Sequence, residues 1–286
     1  MKEILLDALL DSVKMIPFLF AAYWLIEFVE HRHSRRIEAL LAGGGKFGFL
    51  PGALLGCFPQ CGFSAMAANL YSSKVVTLGT LIAVFLATSD EAVPILIASP
   101  DHWKSLVLML AAKVLIAVAV GFCIDFPLRR IIPQNLRGGY SGSIEQVDCH
   151  KHHQHEGVLL AALRHTLHIF IFIFIFNIIL GALVEWIGQD RLIDFLSGWG
   201  IWQPLIAGLV GLIPNCTASI LLTQLYMTGV ISFGAVLSGL CTGAGVGLAV
   251  LFRSNKNWKQ NLFILGLLYV LGAAAGMIAQ LISMLG

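Results

Sequence analysis

Residues 56–79 read GCFPQCGFSAMAANLYSSKVVTLG, and residues 211–234 read GLIPNCTASILLTQLYMTGVISFG. The two stretches align without a gap at an offset of 155, the separation of Cys61 from Cys216. Gly56/Gly211, Pro59/Pro214, Cys61/Cys216, Ser64/Ser219, Leu70/Leu225, Tyr71/Tyr226 and Gly79/Gly234 all keep that offset. So do Glu30/Glu185 upstream, and Trp103/Trp258 and Gly121/Gly276 downstream. The matches cluster on Pro-x-Cys-x-x-Ser inside apolar sequence. Duplicated hydrophobic halves, each interrupted by Gly and Pro at corresponding places, are the pattern of a carrier with its site at the repeat interface.

Composition agrees. The chain is 58% hydrophobic and 12% charged, with a mean hydropathy of +0.85, where a soluble domain carries about 25% charged residues. Eight apolar stretches approach the roughly 20 residues that span a bilayer. They lie near 8–30, 47–71, 75–99, 103–126, 158–187, 202–226, 230–252 and 259–284. The opening MKEILLDALLDS is acidic before its apolar run, so no cleavable leader is expected. The net charge of +2 excludes little. Four of the six cysteines, Cys57, Cys61, Cys216 and Cys241, fall in apolar segments, so free thiols are expected. The run GGGK at 43–46 lacks the first glycine and the Ser/Thr of a phosphate-binding loop. A chain of this kind that moves a solute uphill unaided must draw on an ion gradient.

Residues 127–157 form the one long polar connection, so the chain divides into a first transmembrane repeat, 1–126, a His-rich linker, 127–157, and a second repeat, 158–286. If all eight segments crossed, both halves would point the same way and basic residues would divide evenly between the faces. If 47–71 folds back or splits at Pro59, and 202–226 at Pro214, the halves become inverted. Arg32, Arg35, Arg36, Lys46, Lys74, Arg129, Arg130, Arg137, Lys151, Arg253, Lys256 and Lys259 then share one face, and Lys2, Lys104 and Arg191 remain opposite. The positive-inside bias prefers the second arrangement, with the linker in the cytoplasm and both termini outside. Folding back at 75–99 gives a similar count, so the choice of re-entrant segment stays open. The expected fold is an all-α integral membrane protein of two inverted-topology repeats. Each repeat holds about four or five hydrophobic segments, and proline-broken or re-entrant helices meet at the midplane.

Proline breaks a helix by removing a donor and crowding the preceding turn, and the freed groups need protein or cavity water. A half-helix beginning after each proline aims unpaired N–H groups and a positive dipole end inward. Gln60, Ser64, Asn215, Thr217 and Ser219 are placed to cap it or line a pocket. Cys61 and Cys216, with Cys57 nearby, would face each other across the pseudo-symmetry axis, and thiolates bind soft metals and metalloids. The plainer alternative is a proline kink with cysteine as filler; duplication of the whole motif favours a site.

Thr88-Ser89-Asp90-Glu91-Ala92-Val93-Pro94 lies in the middle of 75–99. Acids at bilayer depth cost about 2.5–3.5 kcal/mol each and mark ion or proton paths, so Ser89, Asp90 and Glu91 are expected to couple ions. At the same offset the second copy has glycines, following Thr242, which allow close backbone approach. The alternative is a break exposed to water. Lys113, in the middle of 103–126, would pair with Asp90 or Glu91 or snorkel to the interface. His150, His152, His153 and His155, four of the nine histidines, lie beside Cys149 in the linker and suit metal capture or a solvated tract. Glu27, Glu30 and Glu185 read as helix-end residues, and His165 and His168 either as proton relays or as helix-end residues.

CFPQCGFS at 57–64, ATSDEAVP at 87–94, IPNCTAS at 213–219 and LCTGAGVG at 240–247, with the His-rich loop, make the chain resemble the ten-transmembrane heavy-metal or arsenic efflux permeases. Some members of that family carry the label manganese transporter. The resemblance covers essentially the whole chain. It implies an inner-membrane exporter with Cys61, Cys216, Asp90 and Glu91 in the transport site, and ten spans if both proline-broken segments are split. The leading expectation is a secondary exporter of a metal or metalloid by proton antiport, with no cofactor and no enzymatic activity. Its partners would be substrate, protons and the lipid bilayer, not nucleic acid; a homodimer is compatible. Two alternatives stand beside it: an exporter of organic or anionic solutes held at half-helix N-termini, and a thiol redox protein using Cys57 and Cys61.

Overall fold

The computed structural model describes residues 47–57, 61–89, 92–97, 102–139 and 200–285, with Phe20 and seven isolated positions between Leu163 and Ile178. Every named element among them is helical. In the first half these are α1 (Phe49–Gly56), α2 (Cys61–Ser72), α3 (Leu78–Ala87), α4 (Ala92–Ile97), α5 (Trp103–Asp125) and the short α6 (Gln134–Arg137). In the second half they are α7 (Gln203–Gly211), α8 (Cys216–Met227), α9 (Phe233–Thr242), α10 (Val246–Ser254) and α11 (Trp258–Leu285).

The offset in the sequence is also the offset in the helices. α2 and α8 correspond at both ends, as do α3 and α9; α5 and α11 share their first position, and α1 and α7 their last. The local chemistry repeats with them. Thr77 caps α3 by accepting the Thr80 N–H, and Ser232 caps α9 by accepting the Ala235 N–H. After α2 the chain turns through Lys74 at φ 58°, and after α8 through Gly229 at φ 75°, a left-handed position that suits glycine. Gly56 ends α1 with room for a Cβ only 2.7 Å from Val84 O, and Gly211 ends α7 equally hard against Gly239 O.

Three helical stretches have the length and apolarity to cross a bilayer: Trp103–Asp125, Phe233–Ser254 and Trp258–Met284. The 23 residues of α5 rise about 34 Å at 1.5 Å each, enough for the hydrocarbon core. α5 and α11 turn most of their surface outward, including Leu108, Leu115, Leu262, Val270 and Ile282. Phe233–Ser254, which bends between α9 and α10, is enclosed by protein. Contiguous apolar surface of this extent belongs in lipid, and the chain is a membrane protein. Trp103 and Trp258, both well exposed, open α5 and α11, where interfacial tryptophans sit.

Packing within each half follows one plan: α1, α3 and α5 pack together, and so do α7, α9 and α11. Between halves, α2 lies on α10 and α8 on α4. Specific bonds fix which ends are neighbours. At the C-terminal end of α5, Asp125 accepts bonds from Thr77 Oγ1 (2.6 Å) and Gly79 N (3.2 Å) at the start of α3. There too, Phe49 at the start of α1 packs its ring on Phe122 and Phe126. Tyr71, near the end of α2, donates to Leu136 O (2.9 Å), Gln260 at the start of α11 to Asn135 O (3.2 Å), and Ser254 to Asn69 (2.6 Å). At the N-terminal end of α5, Tyr226 near the end of α8 donates to Ser105 (2.9 Å). The Gln203 side chain of α7 there bonds Val230 O and Ser232 N.

Candidate transport site

Both proline motifs break the helix where the sequence predicts. α7 stops at Gly211, and α8 starts at Cys216, two residues past Pro214. Asn215 N donates to Ile213 O (2.7 Å) in the intervening turn, and its O accepts from Ala218 N (3.3 Å). α1 stops at Gly56 and α2 starts at Cys61, again two residues past the proline. Cys61, Cys216 and Thr217 therefore occupy the first turns of α2 and α8, and the description there stops at the backbone. Asn215 is buried. Ser64 is fully buried against Gly247 of α10, where an added Cβ would lie 2.7 Å from Ser64 Cβ. The glycine-rich stretch of the second copy thus serves the close approach expected of it. Ser219 O accepts the Thr223 hydroxyl on α8. Thr242 turns its hydroxyl to Gly208 O of α7 (2.8 Å) and to Gly239 O (3.0 Å), so its proton is committed to backbone.

The acidic segment interrupts a helix as well. α3 ends at Ala87 and α4 begins at Ala92. Thr88 Oγ1 folds back onto Val84 O (2.7 Å) and Ser89 Oγ onto Ala87 O (3.0 Å), satisfying carbonyls that the helix end leaves open. Thr88 and Ser89 are buried, which runs against a break bathed in water. The equivalent break in the second copy is made by Gly243, Ala244 and Gly245, the last at φ 53°. Gln60, Asp90, Glu91, His150, His152, His153 and His155 lie outside the described residues, as do Glu27, Glu30, Glu185, His165 and His168.

Lys113 does not snorkel. It is fully buried on the inner side of α5, and its ammonium donates to the backbone oxygens of Thr88 and Leu240, the latter at 2.8 Å. Cys57, just past α1, and the fully buried Cys241 of α9 lie within electrostatic reach of that ammonium. Three features escaped the sequence reading. They are the lysine's bridge between the halves, the place of Cys241 beside it, and the Thr77–Asp125 bond at the end of α5. Among the described residues no three His, Cys, Asp or Glu side chains gather as a ready metal centre.

The described helices form an apolar bundle with buried breaks, and three of its helical stretches are long and apolar enough to cross a membrane, which makes it a membrane protein. A family model described as "Putative, 10TM heavy-metal exporter" matches residues 1–190 and 170–285, and the chain belongs to that family. Searches of curated proteins and of solved structures each return no match to it.

Proposed function

We propose that this chain is a secondary active exporter that carries a metal or metalloid species out of the cytoplasm in exchange for protons. It is a carrier and not an enzyme, and it sits in the cell's inner membrane. One observation carries the reading. The corresponding helices α2 and α8 both begin at the centre, but α2 ends beside Leu136, past the C-terminus of α5, while α8 ends beside Ser105 at its N-terminus. Equivalent helices pointing in opposite directions are the mark of inverted repeats. The outer ends of α1 and α2 lie at the same end of α5, which supports a re-entrant hairpin folding at Pro59; α7 and α8 do likewise from the other side. Lys74, Arg129, Arg130, Arg137, Arg253, Lys256 and Lys259 lie at or just beyond helix ends on the α5 C-terminal side, and Lys104 stands at the other. That bias orients the first side to the cytoplasm.

In this arrangement substrate enters from the cytoplasm and meets Cys61 and Cys216, which open the two half-helices at the midplane. Soft thiolate ligands suit a metal or metalloid. Asp90 and Glu91, next to the α3–α4 break, take protons as substrate leaves, and the paired hairpins alternate access. The convergence of two half-helix N-termini, α2 and α8, favours one competing reading, an anionic solute held by backbone N–H groups.

Efflux from proteoliposomes separates these readings. Replacing Asp90 and Glu91 by Asn and Gln should abolish pH-driven efflux, and unchanged efflux would exclude proton coupling through them. Cys61→Ser with Cys216→Ser should abolish efflux of arsenite, zinc or manganese; retained transport points to the anion carrier.

A further inference from the structure

Lys113 stands near the middle of a 23-residue span. Among its partners are two backbone carbonyls from different halves, Thr88 O and Leu240 O. Thr88 is the C-terminal cap of α3, and Leu240 lies in the last turn of α9. The amide that a continuing helix would place on Leu240 O belongs to Ala244, and it donates instead to Thr242 O (2.9 Å). Both acceptors are thus helix-end carbonyls, the groups a helix leaves without an internal partner. α3 is capped at one end of the molecule and α9 at the other, so their C-termini converge. Each carries about half a negative charge, and together they present about one, which a single ammonium offsets. The second copy has the fully buried Leu268 at the position equivalent to Lys113. One lysine serves both ends.

Half-helix C-termini and unwound carbonyls are what carriers use to hold a free monovalent coupling ion. We infer that the α3–α9 junction is such a cation site, occupied by the chain's own ammonium, so that Lys113 stands in place of a free sodium or potassium ion. The site then needs no metal cation from solution. Removing the ammonium opens it to a small monovalent cation such as sodium, potassium or methylammonium. This rests on the proposed meeting of opposed half-helices. Its readout needs no transported substrate, so its failure leaves the efflux experiment above to judge proton coupling separately.

The test uses the purified full chain in lipid nanodiscs, melted in the chlorides of choline, sodium, potassium and methylammonium at equal ionic strength. The wild type should melt at the same temperature in all four. Lys113→Ala should melt lower in choline and regain stability saturably with at least one small cation, by about 3 °C at tenfold its Kd. Lys113→Met fills the space with an uncharged chain, and should melt lower and stay there in every salt. Absence of any cation response in Lys113→Ala overturns the inference, as does an equal response in Lys113→Met. A saturable sodium or potassium shift in the wild type overturns it as well, and that arm stands even if Lys113→Ala cannot be purified.

Discussion

Thr77 and Ser232 occupy equivalent positions and cap equivalent helices, but differ in their further bonds, Thr77 Oγ1 also meeting Thr80 Oγ1 at 2.8 Å. Each hydroxyl accepts the N–H three residues on, at 3.1 Å in both cases. Thr77 also donates to Asp125 at 2.6 Å, whereas the residue equivalent to Asp125 is Gln280, whose Oε1 has no partner among the described residues. Losing an N-cap hydroxyl costs about 1 kcal/mol, and losing a hydrogen bond to a carboxylate costs a further 1.5–3 kcal/mol, approximately. Thr77→Ala should therefore destabilise by about 2.5–4 kcal/mol and Ser232→Ala by about 1 kcal/mol. At about 2–4 °C per kcal/mol, thermal melting of the purified protein should fall by about 5–15 °C in the first variant and about 2–4 °C in the second. Asp125→Asn should cost less in the Thr77→Ala background than in the wild type, because the bond is already gone. Equal shifts for the two alanine variants, or strict additivity with Asp125→Asn, would refute the claim that the hydroxyl–carboxylate bond holds α3 to α5.

Two glycines make a matched pair. Gly247→Ala brings a Cβ within 2.7 Å of Ser64 Cβ and should destabilise by about 1–3 kcal/mol through overpacking, while Gly266→Ala, with nothing within 4 Å, should stabilise α11 by about 0.5–1 kcal/mol; denaturation in mixed micelles reads both, and a neutral Gly247→Ala would contradict the α2–α10 contact. In a Cys149→Ser background, an impermeant maleimide should label Ile131→Cys only in inside-out vesicles and Thr228→Cys only in right-side-out ones, both positions being exposed. Labelling of both from one side is incompatible with inverted repeats.

What was legible in the sequence is what local covalent chemistry dictates. Proline at 59 and 214 removes a backbone donor mid-segment and glycine at 243 and 245 frees the backbone, so the interruptions and the offset could be read from the sequence. The segment 75–99 holds two helices, α3 ending at Ala87 and α4 beginning at Ala92, as α9 and α10 do in the second copy. Lys113 stands out as a mid-helix charge, but its acceptors include backbone oxygens 25 and 127 residues away. A carbonyl has no side-chain identity, so no pattern of residue types announces it. The bond of Asp125 is hidden for a related reason: its partner Thr77 lies 48 residues earlier, with nothing in composition to link them.

The contacts of α2 with α10 and of α8 with α4 have a bearing on biogenesis. Ser64 of α2 is sealed by Gly247 of α10, and α8 is seated on α4, so each half leaves a slot that only its sibling fills. A ribosome that has released only the first repeat into the bilayer has delivered an unfinished object, with polar seams still facing lipid. Maturation must wait for α10 to be laid against α2, already in place, so that a late-made helix closes the contact that an early one leaves open.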